Sequence, residues 1–216
     1  MYYPYAQQMS HRHRRVMTVT GIGNISVAPD TVQIQLEVRT ENRQLSQAQQ
    51  ENAHVMNQVI ESLLEVGIGR ENIRTVSYNI VPQYDYVDGR QTFRGYQVIN
   101  AIAVKTTNIE QAGEIIDTAV QNGANQVSNI HFTVANEQAY YQQALSRALE
   151  NAVEKAQTIS RTMQLQLEPQ PIKIIEQVGE QPVAYRTFAT AEMNVSTPIE
   201  RGQITVSAKV EVQFEY

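Results

Sequence analysis

Four histidines and eleven tyrosines are the side chains with the most evident chemical use, because the chain has neither cysteine nor tryptophan. Histidine changes charge near neutral pH, so each of the four is an acid–base candidate. His11 and His13 form an H-x-H pair inside the run HRHRR. Two such ligands with no third histidine or carboxylate nearby make a weak metal site, and a solvated basic tail accounts for the pair better. His54 lies off the apolar stripe of its helix, which makes it a rim or solvent residue. His131 stands between Ile130 and Phe132 on a strand, so alternation turns it to the opposite face from both. No serine has a nucleophile-elbow context, and neither H-E-x-x-H nor a glycine-rich phosphate loop occurs. Gly21-Ile22-Gly23 is a lone G-x-G within a strand, where a bend or bulge explains it better than a nucleotide does. Without cysteine, disulfides, thiol catalysis and thiolate metal sites are excluded. No cofactor is expected.

Tyrosine is the stronger signal. Tyr78, Tyr84, Tyr86 and Tyr96 gather with Phe93 on one hairpin, in a chain with only 4 phenylalanines. Cross-strand packing on a half-exposed ladder is the plain reading. A contact surface is the functional one, since tyrosine offers a large ring with a polar tip. Pro82 lacks an amide donor and places its strand near a sheet edge.

The elements that position these residues follow from periodicity. Val16 to Val38 alternates on both sides of Pro29-Asp30 and is expected to form a hairpin. Ser46 with Gln49 reads as a capping box opening a helix that stops at Gly67. Strands then run through Tyr78 and Tyr96 around the turn Asp88-Gly89. Asn108 with Gln111 reads as the cap of a second helix, ending at Gly123. A strand through Ile130 precedes the longest helical pattern, Glu137 to Leu165, where Ala144, Ala148, Ala152 and Ala156 form a smooth ridge suited to lying close on a sheet. Strands at about 172–178 and 204–214 close the chain, with 179–202 read as a long loop. The expected fold is α+β: a mostly antiparallel sheet with three helices on one face, in the order ββαββαβαββ, with a possible duplicated ββα unit. Residues 1–15 read as a disordered tail and 16–216 as a single domain.

Hydrophobic residues make up 42% of the 216 and the net charge is −5, so a substantial core can form and a phosphate backbone would be repelled. No nucleic-acid partner is expected. No run reaches the roughly 18 apolar residues of a membrane span. The basic cluster near the N-terminus is followed by no apolar signal core, which leads to the expectation of a cytoplasmic protein.

With these segments in view, the chain resembles the SIMPL-domain family, whose bacterial members include periplasmic immunogenic proteins. The resemblance rests on VTGIGNISVAPDTVQIQLEV at 19–38, LLEVGIGRENIRT at 63–75, Ile80 through Pro82 and Tyr84 to Gly95-Tyr96, IIDTAVQNGANQVSNIHF at 115–132, ALSRALENAVEKAQ at 144–157 and GQITVSAKVEVQF at 202–214. It implies the fold, a domain of unknown function and a tendency to self-associate. It supplies no catalytic residues. The expected function is a non-enzymatic, self-associating interaction module, a homo-oligomer with room for another protein partner. Its interface would be Tyr78, Tyr84, Tyr86, Phe93 and Tyr96. The alternative is an enzyme or small-ligand binder with a site between helices and sheet, using His131 with a carboxylate.

Overall fold

Alternating and 3.6-residue periodicities resolve into eleven elements in the computed structural model, which describes residues 15–177, 184–185 and 197–216. They are β1 (Val16–Val27), β2 (Thr31–Asn42), α1 (Leu45–Glu65), β3 (Ile73–Val87), β4 (Arg90–Thr106), α2 (Ala112–Gln121), β5 (Gln126–Thr133), α3 (Glu137–Met163), β6 (Pro171–Gln177), β7 (Ala184–Tyr185) and β8 (Gln203–Glu215). The α+β class and the order agree with the sequence reading, β7 being a two-residue addition inside the expected loop. Of the expected tail only Arg15 is described, and most of 179–202 lies outside the described residues.

Where one sheet was expected, the strands divide between two, in the orders β1-β8-β6, with β7 also on β8, and β3-β4-β2-β5. The chain correspondingly forms two compact units: the described residues of Met1–Ser26, Asn136–Val183 and Thr205–Tyr216, and those of Val27–Ala135 and Ala184–Ile204. The helices divide with them, one and two, so they do not share a single sheet face.

The hairpin expected over 16–38 does not form, because β1 and β2 belong to different sheets. Asp30 binds β5 and the residues that follow it: its amide donates to Thr133 O at 3.2 Å and its carboxylate accepts from the Ala135 amide at 2.8 Å. β2 takes β4 on one side and β5 on the other. The duplicated ββα pattern therefore survives only in part. β2–α1 and β4–α2 share one layer, while β1 and β3 lie in different sheets.

In the unit built on β2, the residues Val32, Ile34, Leu36 and Val38 stand opposite Thr106, Val104, Ile102 and Asn100. Directly opposed residues share a face, and on this face α1 and α2 pack through Met56, Val59, Leu63, Ile115 and Ala119. Asn52 of α1 is fully buried among them and donates from Nδ2 to the carbonyls of Val38 and Val98 at 2.9 and 3.2 Å. α1 ends in the expected Schellman pattern, with Gly67 at φ 88° and the Ile68 amide bonded to Leu63 O at 3.0 Å. Its start is not the expected capping box. Ser46 lies inside the helix, whose N-cap is Gln44 with no side-chain bond. α2 likewise begins after a 3₁₀ turn at Ile109–Gln111. There Gln111 donates to Val66 O at 2.9 Å instead of reaching back to Asn108.

In the unit built on β8, the alanine ridge faces the sheet as read. Ala144, Ala148, Ala152 and Ala156 are all 0% exposed, packed with Met17, Val19, Ile25, Val210, Val212 and Phe214. Gly21 and Gly23 explain how close α3 can come. A Cβ on Gly21 would fall 1.9 Å from Ala148 O, and one on Gly23 would fall 2.0 Å from Ala144 O. β1 runs through both glycines without interruption. The G-x-G thus marks a strand surface stripped of side chains so that a helix backbone can lie on it, and not a bend or bulge.

Candidate functional site

The aromatic surface begins at Asp88 and Gly89. Both have positive φ, 50° and 76°. That is the type I′ turn an Asp-Gly pair favours, because its twist matches two antiparallel strands. From Val87↔Arg90 the ladder runs back through Tyr84↔Phe93, Pro82↔Tyr96, Ile80↔Val98 and Tyr78↔Asn100. The register slips by one residue between Gln83 and Tyr84. That slip keeps the aromatics together: the rings of Tyr84 and Phe93 meet edge-on at 5.7 Å, and those of Phe93 and Tyr96 at 5.1 Å.

β4 pairs with β2 only as far as Tyr96↔Asn42. Beyond that point β3 and β4 continue as a two-stranded ribbon. β3 is the end strand of its sheet, as Pro82 suggested. Alternation puts Tyr78, Ile80, Tyr84, Tyr86, Phe93 and Tyr96 on the same side as Val98 and Ile102, so the apolar face of the core runs on along the ribbon. There it is uncovered: Tyr78, Tyr84 and Phe93 are 40 to 47% exposed and Tyr86 is 76% exposed. Arg94, the residue left over by the slip, fixes the ribbon's base. Its Nε and Nη2 donate to the two Glu41 carboxylate oxygens at 2.5 and 2.6 Å, and Nη1 to Asp85 at 3.4 Å. The bidentate pair with Glu41 raises the Arg94 pKa further. The structure thus brings all five aromatic candidates together on one surface.

The histidines are elsewhere. His54 is exposed on α1. His131 is exposed on β5 opposite Gln33, on the face turned away from α1 and α2. Neither makes a side-chain hydrogen bond or ion pair among the described residues, so His131 has no carboxylate partner there of the kind the alternative reading gave it. His11 and His13 lie outside the described residues. Among the described residues no three His, Cys, Asp or Glu side chains group as metal ligands would.

One polar cluster escaped the sequence reading. Glu37, in the middle of β2 and only 7% exposed, accepts from Ser128 Oγ at 2.9 Å, Gln35 Nε2 at 3.0 Å and Arg39 Nη2 at 3.0 Å. Burial alone would raise its pKa, but the bonds from Ser128, Arg39 and Gln35 together outweigh it, so the carboxyl titrates below its ordinary range. The available signal was Gln35-x-Glu37-x-Arg39, three polar residues in reach on one strand face.

Two antiparallel sheets, one layered with a single helix and the other with two, and an aromatic edge ribbon define an α+β protein organised around its strand surfaces. The chain belongs to the SIMPL family, described as a protein of unknown function (DUF541), whose model matches residues 17–214. It is similar to the 26 kDa periplasmic immunogenic protein of Brucella melitensis, 28% identical over 224 residues that cover 96% of this chain and 87% of that one. It is also similar to the uncharacterized protein YggE of Escherichia coli K12, 25% identical over 154 residues covering 71% and 62%. The cytoplasmic location read from the N-terminus finds no support in the Brucella relatives, which are named as periplasmic. No helix among the described residues is long and apolar enough to cross a membrane.

Proposed function

We propose that this protein acts by assembly and not by catalysis, and that the aromatic face of the β3–β4 ribbon is its contact with a second copy of the chain. The observation that carries this reading is Tyr78, Tyr84 and Tyr86 exposed on the end strand β3, with Phe93 exposed beside them on β4. Exposed aromatic anchors with polar Gln91 beside them, opposite Tyr86, and Gln83, Asp85 and Arg94 on the other side of the ribbon, suit a contact made on one face only. An uncovered edge strand presents unpaired main-chain groups, and a second copy related by a two-fold axis covers both at once. Pairing two β3 edges would join two four-stranded sheets into one of eight.

The test is Tyr84→Ser with Tyr86→Ser, compared with the parent by light scattering after gel filtration. The mass is expected to fall toward 24.4 kDa, with circular dichroism unchanged. A parent already monomeric at tens of micromolar, or a double variant of the parent's mass, would return the tyrosines to ordinary cross-strand packing.

A further inference from the structure

Among the described residues the outer edge of β1 is half sealed, and its unsealed half has the form of a peptide site. Tyr216 donates its amide to Arg15 O at 3.0 Å. Residues of an antiparallel ladder turn their main-chain groups alternately toward the partner and away from it, so the odd-numbered residues of β1, in step with Arg15, face β8 and the even-numbered ones face outward. α3 meets three of the outward groups with side chains four residues apart. Arg147 donates to Asn24 O at 2.9 Å, Asn151 Oδ1 accepts from the Ile22 amide at 3.2 Å, and Lys155 donates to Thr20 O at 2.8 Å. The same helical row continues with Ile159 and Met163, and there it turns apolar. Neither can bond a strand edge, and they are 40% and 64% exposed. Beneath this change the N–H and C=O of Thr18 and the N–H of Thr20 point outward with no partner among the described residues. Between strand and helix lies an open groove of about 560 Å³, bordered by Thr18, Thr20, Lys155, Thr158 and Ile159.

We propose that this groove is a strand-addition site for an extended peptide segment of another protein. The segment would pair its main chain with Thr18 and Thr20 and set an apolar side chain on Ile159. Two features favour that occupant. The free groups form a row of donor, acceptor and donor along a strand, which an extended backbone matches in spacing and in kind. Glu154 stands next to Lys155 on the groove wall, so the wall has no net charge to select an anion or a cation, as suits a neutral main chain. Phosphate ligands would meet the Glu154 carboxylate. The site is independent of the proposed assembly surface, which lies in the other compact unit.

The experiment uses the full chain and a fluorescein-labelled synthetic peptide, acetyl-Lys-Thr-Val-Thr-Val-Thr-Val-Lys-amide, read by fluorescence anisotropy. A second readout is residue-resolved hydrogen exchange. Saturable binding is expected, with slowed exchange at the Thr18 and Thr20 amides. A peptide N-methylated at alternate residues loses its donors and should bind about tenfold or more weakly, as should the parent peptide on Ile159→Asp. Circular dichroism of this variant, changed at a site 40% exposed, is expected to match that of the parent. The Tyr84→Ser, Tyr86→Ser variant should bind like the parent. No binding at several hundred micromolar peptide overturns the proposal, and so does equal binding of the N-methylated peptide. Thr18 and Thr20 amides already as protected as Met17 and Val19 in the chain alone would show the edge to be occupied by the chain's own residues, which overturns it as well.

Discussion

Gly21→Ala tests the contact on which the β8 unit depends. The new Cβ would lie 1.9 Å from Ala148 O and 2.9 Å from Ala152 Cβ. Carbon and oxygen in ordinary contact stand well over 3 Å apart, so helix and strand must part by roughly 1 Å or more. A gap of about that size forfeits a quarter to a half of each dispersion contact it opens, and here it would open under all four ridge alanines. Overpacking of a close-packed site costs about 1–3 kcal/mol. The clash is with backbone, which has no rotamer to escape into, so the upper end applies. Alanine also restricts the unfolded chain, which offsets about 0.4–1 kcal/mol. The net expectation is a loss of about 2 kcal/mol. Urea denaturation followed by far-ultraviolet circular dichroism would register this as a fall in midpoint of about 0.7–2 M, given slopes of about 1–3 kcal/mol per molar for small proteins. Hydrogen exchange should place the loss in 16–26 and 137–163 and leave 31–42 unaffected. Gly21→Ala with Gly23→Ala should cost less than the sum of the two, since a helix lifted for one Cβ has made room for the other. A Gly21→Ala protein as stable as the parent would refute the backbone contact and the packing argument with it.

Ala148→Leu presses on the same interface from the helix side and should cost on the order of 1–3 kcal/mol in the same urea assay. Asn52→Ala removes the side-chain donor of the Val38 and Val98 carbonyls, and about 1–3 kcal/mol should be lost from the thermal or urea transition of the β2 unit. Asp117 accepts from the Thr197 hydroxyl and the Thr197 amide, and these bonds lower its pKa. A depressed carboxyl stabilises the fold above its unfolded value near about 4 and loses that contribution as pH falls through the lower folded value. Exchange protection of the Thr197 amide should follow that course, and Asp117→Asn should abolish the acid dependence; protection unchanged down to pH 2 in the parent would count against the bond.

How much of this was legible in the sequence depended on which physical signal each feature leaves. Alternation reported faces correctly, from Val32 through Val38 and again from Ile204 through Phe214. It carries no information about partners, and so the hairpin expected at 16–38 proved to be two strands of different sheets. The alanine ridge was readable because four small residues at spacing four have one evident use. Its counterpart was misread because Gly21 and Gly23 declare only the absence of a side chain, and which backbone fills the space is a long-range fact. Asp88-Gly89 and Gly67 act through local dihedral angles and were read correctly. Ser46 and Asn108 matched a capping pattern, yet neither side chain caps: α1 takes Gln44 as its N-cap, and Asn108 precedes the 3₁₀ turn that leads into α2 while the Gln111 side chain is drawn to Val66. The aromatic candidates were identifiable by composition. The one-residue slip that lets Tyr84 meet Phe93 was not, because a bulge leaves no mark in hydropathy.

The division of the chain into segments bears on how the protein is made. The strands and helices of the β2 unit lie almost wholly within 27–135, whereas the β8 unit needs residues from both ends and the middle. A ribosome adding about 5–20 residues per second would release the first set some seconds before the C-terminal strand exists. Through that interval β1 carries Met17, Val19 and Ile25 with neither β8 beside it nor, at first, α3 above it. Truncation near residue 200 would make this transient condition permanent, and such a nascent chain is the form of this protein most in need of a chaperone.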